Sequence, residues 1–102
     1  MRVISRRALR EFWEKHRAAE EPMAVWFRLM DSCNFNDLSA VKRVFGTADY
    51  VAPYTVFNVG GNKYRVITSI HYNRRRVFIR DVFTHPEYDR WTEQIRKRKR
   101  KS

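Results

Sequence analysis

Cysteine is almost absent from this chain. The single Cys33 excludes an internal disulfide, and no CxxC pair or Cys/His spacing points to a zinc site. Long hydrophobic runs are missing too: nothing approaches the roughly 20 apolar residues of a membrane-spanning helix. The opening MRVISRRALREF has no apolar block and no cleavage site, so no secretory signal is expected, and the reducing cytosol is the expected compartment. Acidic residues are scarce and scattered. No carboxylate cluster suits a pair of metals, and no Ser/His/Asp triad can be argued. No metal and no cofactor are expected. There are no repeats and no linker.

What the chain does have is positive charge. Lys plus Arg number 22 against 11 Asp plus Glu, a net +11, and 16 of the cations are Arg. The run Arg96-Lys97-Arg98-Lys99-Arg100-Lys101 holds six of these charges and leaves about +5 on the rest. Such a balance points to a polyanion: RNA, DNA or an acidic protein. A membrane surface is a weaker fit, because the apolar residues are needed for a core. With 43% hydrophobic and 15% aromatic residues, the 102-residue chain is too apolar for disorder. One domain is expected over residues 1–95, with a basic tail over 96–102.

Periodicity divides the chain near Pro53. Residues 1–5 read as a short strand, and Ser5 can cap a helix over 6–16 with Leu9, Phe12, Trp13 and His16 on one face. Glu20-Glu21-Pro22 starts a second helix whose apolar stripe is Trp26, Leu29, Met30 and Cys33. A third, over 38–45, is capped by Asp37 and stopped by Gly46. Past Pro53, Tyr54–Val59, Lys63–Tyr72 and Arg76–Thr84 read as three strands of an antiparallel meander. Gly60-Gly61-Asn62 and Asn73-Arg74-Arg75 are the turns. Pro86 opens a last helix at Glu87–Ile95. The class is α+β: a small antiparallel sheet of the N-terminal strand plus the meander, with helices on one face and a C-terminal helix.

Three residues suggest chemistry. Arg65 lies on the strand face opposite the helix-facing side, so it is expected to be accessible. His85 sits where a strand ends and a helix begins, and Tyr88 is one turn on. A proton acceptor, a proton donor and a cation suffice for metal-free RNA cleavage by the 2′-hydroxyl. The plain alternatives are a solvated Arg65, a helix-capping His85 and a core Tyr88. His16 and His71 read as helix-face and strand-surface residues. Asn58–Arg65 is no phosphate loop, since it lacks the Lys-Ser/Thr ending and a strand follows it.

Three blocks resemble the HigB toxins, RelE-like ribonucleases of bacterial type II toxin–antitoxin systems. They are Val56-Phe57-Asn58-Val59-Gly60-Gly61-Asn62-Lys63-Tyr64-Arg65-Val66, Ile79-Arg80-Asp81-Val82 and Thr84-His85-Pro86-Glu87-Tyr88-Asp89. The opening Ile4-Ser5-Arg6-Arg7-Ala8-Leu9 is similar too, so the likeness spans nearly the whole chain. It implies metal-independent cleavage of mRNA, usually at the ribosome, leaving a 2′,3′-cyclic phosphate. It also implies a HigA-type helix-turn-helix antitoxin and operator binding by the pair. Carried over, Arg65 contacts the scissile phosphate, His85 is the leading acid or base, and Tyr88 is a second acid or base or a stacking group. Lys63 is a weaker phosphate contact. Asn58 and Asp89 match without an assigned role. Arg74, Arg75, Arg76, Arg80, Arg96 and Lys97 complete the expected RNA-binding set on charge. Two rivals stand beside this reading: a non-catalytic RNA-binding or ribosome-associated protein, and a DNA-binding regulator, which lacks a convincing recognition-helix pair.

Overall fold

A computed structural model describes residues 1–100, with side chains to Lys97. Lys101 and Ser102 of the expected tail lie outside the described residues, as do the side chains of Arg98, Lys99 and Arg100. The elements run β1 (Arg2–Ile4), α1 (Arg6–Lys15), a 3-10 turn (Arg17–Ala19), α2 (Glu20–Ser32), α3 (Leu38–Val44), β2 (Asp49–Val51), β3 (Tyr54–Val59), β4 (Tyr64–His71), a second 3-10 turn (Tyr72–Arg74), β5 (Arg76–Thr84) and α4 (His85–Arg100).

The α+β class and the meander stand as read from the sequence. β3, β4 and β5 pair antiparallel in sequence order. The sheet itself is mixed: β1 runs parallel to β5, which corrects the wholly antiparallel expectation. Three residues of alternating pattern predict a strand but carry no information about its direction. Asp49–Val51 adds a fifth strand beyond β3, giving the order β1-β5-β4-β3-β2. Its residues are mostly exposed, so it has no apolar alternation to betray it.

Two faces of the sheet are covered by different helices. On one, Phe57, Val59, Tyr64, Val66, Val77 and Ile79 meet Leu9 of α1, Met23, Trp26 and Met30 of α2, and Val41 of α3. The α2 stripe therefore runs Met23, Trp26, Met30; Leu29, expected within it, is 41% exposed. Asp37 caps α3 as expected, accepting the Ala40 N–H at 2.9 Å. The other face carries Tyr54, Phe83 and Arg65, and α4 crosses it. Trp91 of α4 lies 5.6 Å from Tyr54 and 5.9 Å from Phe83, ring centre to ring centre.

Two local devices aim the strands. Gly60 and Gly61 both hold positive φ, at 67° and 69°, in the β3–β4 turn, and a Cβ on Gly60 would stand 3.1 Å from the Tyr64 ring. A register shift opposite Ile67/Thr68 puts an extra residue into β5. Val82 and Ile79 thereby both face the core, and Arg80 between them turns outward.

Candidate active site

The β3–β4 turn, the end of β5 and the first turn of α4 meet at one end of the sheet. α4 begins with the spacing of a capping box, Thr84-His85-Pro86-Glu87, of which the Glu87 half is made. The Glu87 carboxylate accepts the Thr84 backbone N–H and the Thr84 hydroxyl, both at 2.9 Å. These bonds, the backbone one foremost, hold the Glu87 carboxyl below its ordinary value, and the neighbouring His16 adds to the effect. The His85 backbone N–H donates to the Lys63 carbonyl at 2.9 Å. That bond pins the helix start to the turn beside Arg65. Glu87 thus fills the anion position at this helix N-terminus, and Pro86 has no N–H to offer there.

Arg65 departs from expectation. It is 6% exposed rather than accessible. The cause is α4: the Tyr88 ring covers the guanidinium, with 5.3 Å from its carbon to the ring centre. Nη1 donates to the Asn62 carbonyl at 3.2 Å and the Tyr64 carbonyl at 3.1 Å, and Nη2 reaches Asn62 Oδ1 at 3.5 Å. Among the described residues, that leaves donors on Nε and Nη2 without a protein partner. A guanidinium clamped this way is a fixed cation rather than a swinging one.

His85 is exposed, and its Nδ1 lies 3.3 Å from Asp89 Oδ2, one turn along the helix. Asp89, matched in the sequence without a role, is therefore placed to orient the imidazole. Tyr88 is half-buried. Burial pushes its phenol up from the ordinary value of 10.0; Asp49 reinforces this, and Arg65 opposes it. The phenol keeps its proton at neutral pH. Tyr88 also lies 5.8 Å from Trp91.

The structure brings Arg65, His85, Tyr88, Lys63 and Asp89 to one end, and disperses the other basic candidates. Arg74, Arg75 and Arg76 sit at the opposite end of the β4–β5 hairpin, where His71 pairs with Arg76. Eight strand residues, roughly 25 Å, separate the two ends. Arg80 lies between, its Nε donating to Ser69 Oγ at 3.1 Å and its guanidinium over Phe78. Arg96 and Lys97 are exposed on α4, about three turns beyond His85. Asn62, the clamp on Arg65, and Glu87, the cap, were not among the candidates. The T-x-x-E spacing signals the latter; nothing local signals the former. His16 is the other unanticipated neighbour, stacked on Phe12 at 4.4 Å and 6.4 Å from Tyr64. Among the described residues no group of three His, Cys, Asp or Glu is arranged to hold a metal, and no helix is long and apolar enough to cross a membrane.

Sequence comparison agrees with the blocks that meet here. The profile of the HigB toxin family, described as the RelE-like toxic component of a toxin–antitoxin system, matches residues 19–91. The chain is 32% identical over 95 residues to the mRNA interferase toxin HigB of Escherichia coli (strain K12), covering 90% of this chain and 91% of that protein. The mRNA interferase HigB of Shigella flexneri matches to the same extent. The mRNA interferase HigB of Escherichia coli O6:H1 is 28% identical over 102 residues, 97% of this chain and 99% of that protein.

Proposed function

This chain belongs to the HigB toxin family, the RelE-like toxic components of toxin–antitoxin systems, and from that premise we propose that it cleaves mRNA with Arg65, His85 and Tyr88 as its reacting set. The observation that carries the reading is the pinned end of the sheet, where a clamped cation, an exposed imidazole oriented by a carboxylate and a protonated phenol converge. In the proposed reaction His85 takes the proton of the 2′-hydroxyl. The 2′-oxygen then attacks the adjacent phosphorus, and the bond to the 5′-oxygen breaks. That oxygen leaves with a proton supplied by an acid, and the upstream fragment keeps a 2′,3′-cyclic phosphate. Arg65 stabilises the charge that builds on the phosphoryl oxygens through its unpartnered donors. No step needs a metal.

The substrate is proposed to be mRNA on the translating ribosome. The partner is proposed to be a HigA-type helix-turn-helix antitoxin, with operator DNA bound only by the pair. Lys63, Arg80, Arg74, Arg75, Arg76, Arg96 and Lys97 are proposed RNA or ribosome contacts in two or more separate groups. The chain folds as one domain over 1–95 in this reading, and the activity is exerted in the cytoplasm. A basic RNA-binding protein without catalysis would not need an exposed imidazole oriented beside a clamped arginine.

The test is inducible expression followed by mapping of mRNA 5′ ends. Wild-type protein should create new ends, and His85→Ala should lower cleavage about 10²–10⁴-fold while the protein stays folded. Undiminished cleavage by folded His85→Ala would remove His85 from the mechanism, and no new ends with wild-type protein would favour the binding protein.

A further inference from the structure

We propose that the cleft between α1 and the free edge of β5 is a nucleotide subsite, seating one nucleotide that flanks the cut and favouring a base with an exocyclic amino group. The proposal rests on the ribonuclease reading above and adds a base-reading contact to it. The cleft exists because β1 is short. β1 ends at Ile4, opposite Phe78, so among the described residues β5 has no strand on that side from Ile79 onward. α1 lies beside the open edge instead, and the extra residue in β5 falls there, at Arg80. Phe12, Lys15 and His16 of α1 stand across from Arg80 and Asp81 of β5, and Glu87 completes the lining around a volume of about 320 Å³.

The charges of the cleft do not satisfy one another. Glu11, on the same face of α1, is taken by Arg7 at 3.0 Å, and Glu87 is taken by the N–H and hydroxyl of Thr84. Among the described residues, Lys15, Arg80 and Asp81 have no ion-pair partner although they line one cleft. Two free cations beside one free carboxylate suit a nucleotide, which carries a phosphate at one end and base-edge donors at the other. In the proposed seat Lys15 and Arg80 take phosphate oxygens, and Asp81 accepts from the base. Adenine, cytosine and guanine each present an amino group to such a carboxylate, whereas uracil presents carbonyl oxygens on either side of its one N–H, and a carboxylate repels those. Phe12 and His16 form a stacked ring pair, 4.4 Å between centres, and both are half-buried, which offers ring surface for a base to lie against.

The cleft adjoins the reacting set. Glu87 lies two residues past His85 in the first turn of α4, and the His16 ring stands 6.4 Å from that of Tyr64, the residue before Arg65. Arg80 precedes Thr84 by four strand residues, roughly 13 Å. RNA held at Arg65 and His85 therefore has a flanking nucleotide within reach of the cleft. A protein partner is the poorer fit, because both walls are charged and Phe12 is the only aromatic anchor that the lining offers outside His16.

The test is cleavage of ribosome-loaded mRNA by the full chain, with every new 5′ end mapped. Asp81→Asn keeps the shape but replaces the carboxylate with an amide that also donates. Cuts with uridine at one fixed flanking position should become about fivefold more frequent, or more, than with wild type. Lys15→Ala combined with Arg80→Ala should raise KM about tenfold or more with a smaller change in kcat, since the phosphate contact is made in the bound substrate as well as in the transition state. On ribosomes loaded with mRNA made uncleavable by 2′-deoxy substitution, Lys15 of the wild-type chain should be shielded from acetylation. An unaltered base distribution in Asp81→Asn, an unaltered KM in the double variant, or Lys15 left open to acetylation overturns the proposal. Shielding of Lys15 by the protein encoded beside this gene but not by RNA overturns it too and gives the cleft to a protein. If a variant does not fold, the acetylation pattern of the wild-type chain decides. Wild-type protein that makes no new ends fails the ribonuclease reading itself, whereas wild-type cleavage with cleft variants indistinguishable from it fails the subsite alone.

Discussion

Arg65 shows how far a single residue can be read from a strand pattern. Alternation along β4 placed it correctly on the face away from α1 and α2, and the family blocks marked it as a phosphate contact. Its burial was not legible, because it depends on where α4 crosses, a tertiary fact with no signature at position 65. The clamp by Asn62 was hidden for the same reason: a turn residue whose carbonyl accepts from the guanidinium leaves no trace in composition. Burial changes what a variant should do. Arg65→Ala would remove packing as well as charge, so Arg65→Lys is the cleaner test. A lysine keeps the charge and loses the fork, and cleavage should fall by about tenfold or more with the thermal midpoint little changed. Tyr88 separates by a similar pair. Its ring covers Arg65, and its phenol is held protonated by burial, so it is no base at neutral pH. Tyr88→Phe keeps the ring and should cost less than about tenfold, whereas Tyr88→Ala frees Arg65 and should cost about 100-fold or more. Equal losses in the two variants would assign proton donation to the hydroxyl.

At the scale of elements, the switch in apolar period near Pro53 was enough to separate helices from meander, and the Gly60-Gly61 turn was legible because few other residues adopt positive φ. What escaped were the properties that depend on a partner: the parallel direction of β1, the exposed edge strand β2, and the extra residue in β5 that turns Arg80 outward. The C-terminal helix was expected over Glu87–Ile95 and runs from His85 to Arg100, since Arg and Lys are good helix formers and nothing in the basic run stops it. Its start determines the site. Glu87 holds Thr84, and the His85 N–H holds the turn. The Glu87 carboxyl titrates below its ordinary value of 4.5 in the folded chain. A depressed carboxyl stabilises the fold above its unfolded value, and that contribution fades as pH falls through the folded one. Glu87→Gln should therefore cost about 1 kcal/mol at pH 7 by denaturant unfolding, and progressively less below the ordinary carboxylate range. A gap that stays constant in acid would mean that shape rather than charge makes the cap. Because the cap sets where His85 stands, cleavage should fall as well.

For the whole molecule, charge is the property that sequence gives most directly and structure refines most. A net +11 announces a polyanion partner, but it does not say that the cations are segregated. They lie at the end that holds Lys63 and Arg65, at the far end of the hairpin, along α1 and in the last turns of α4. One continuous RNA track would leave several of these unused, whereas a large partner such as a ribosome can touch groups 25 Å or so apart at once. The run from Arg96 onward carries more than half of the net charge, and its first two side chains, Arg96 and Lys97, are exposed. Its expected contribution is long-range: counterion release on meeting phosphate, worth roughly 0.7 to 0.9 in the slope of log affinity against log salt for each contact. Removing residues 96–102 should flatten that slope by several contacts. Affinity should drop most at low salt, and the two chains should converge as salt rises. The catalytic end should be left alone, since α4 keeps Thr84, Glu87, Tyr88 and Trp91. Cleavage at saturating substrate should then change little while the apparent affinity falls, a split that separates steering from chemistry. The measurement is binding of full-length and shortened chains to RNA or ribosomes across a salt series, with cleavage followed in parallel. Identical slopes would reduce the basic run to solvated surface and shift the burden of RNA contact to Arg74, Arg75, Arg76 and Arg80.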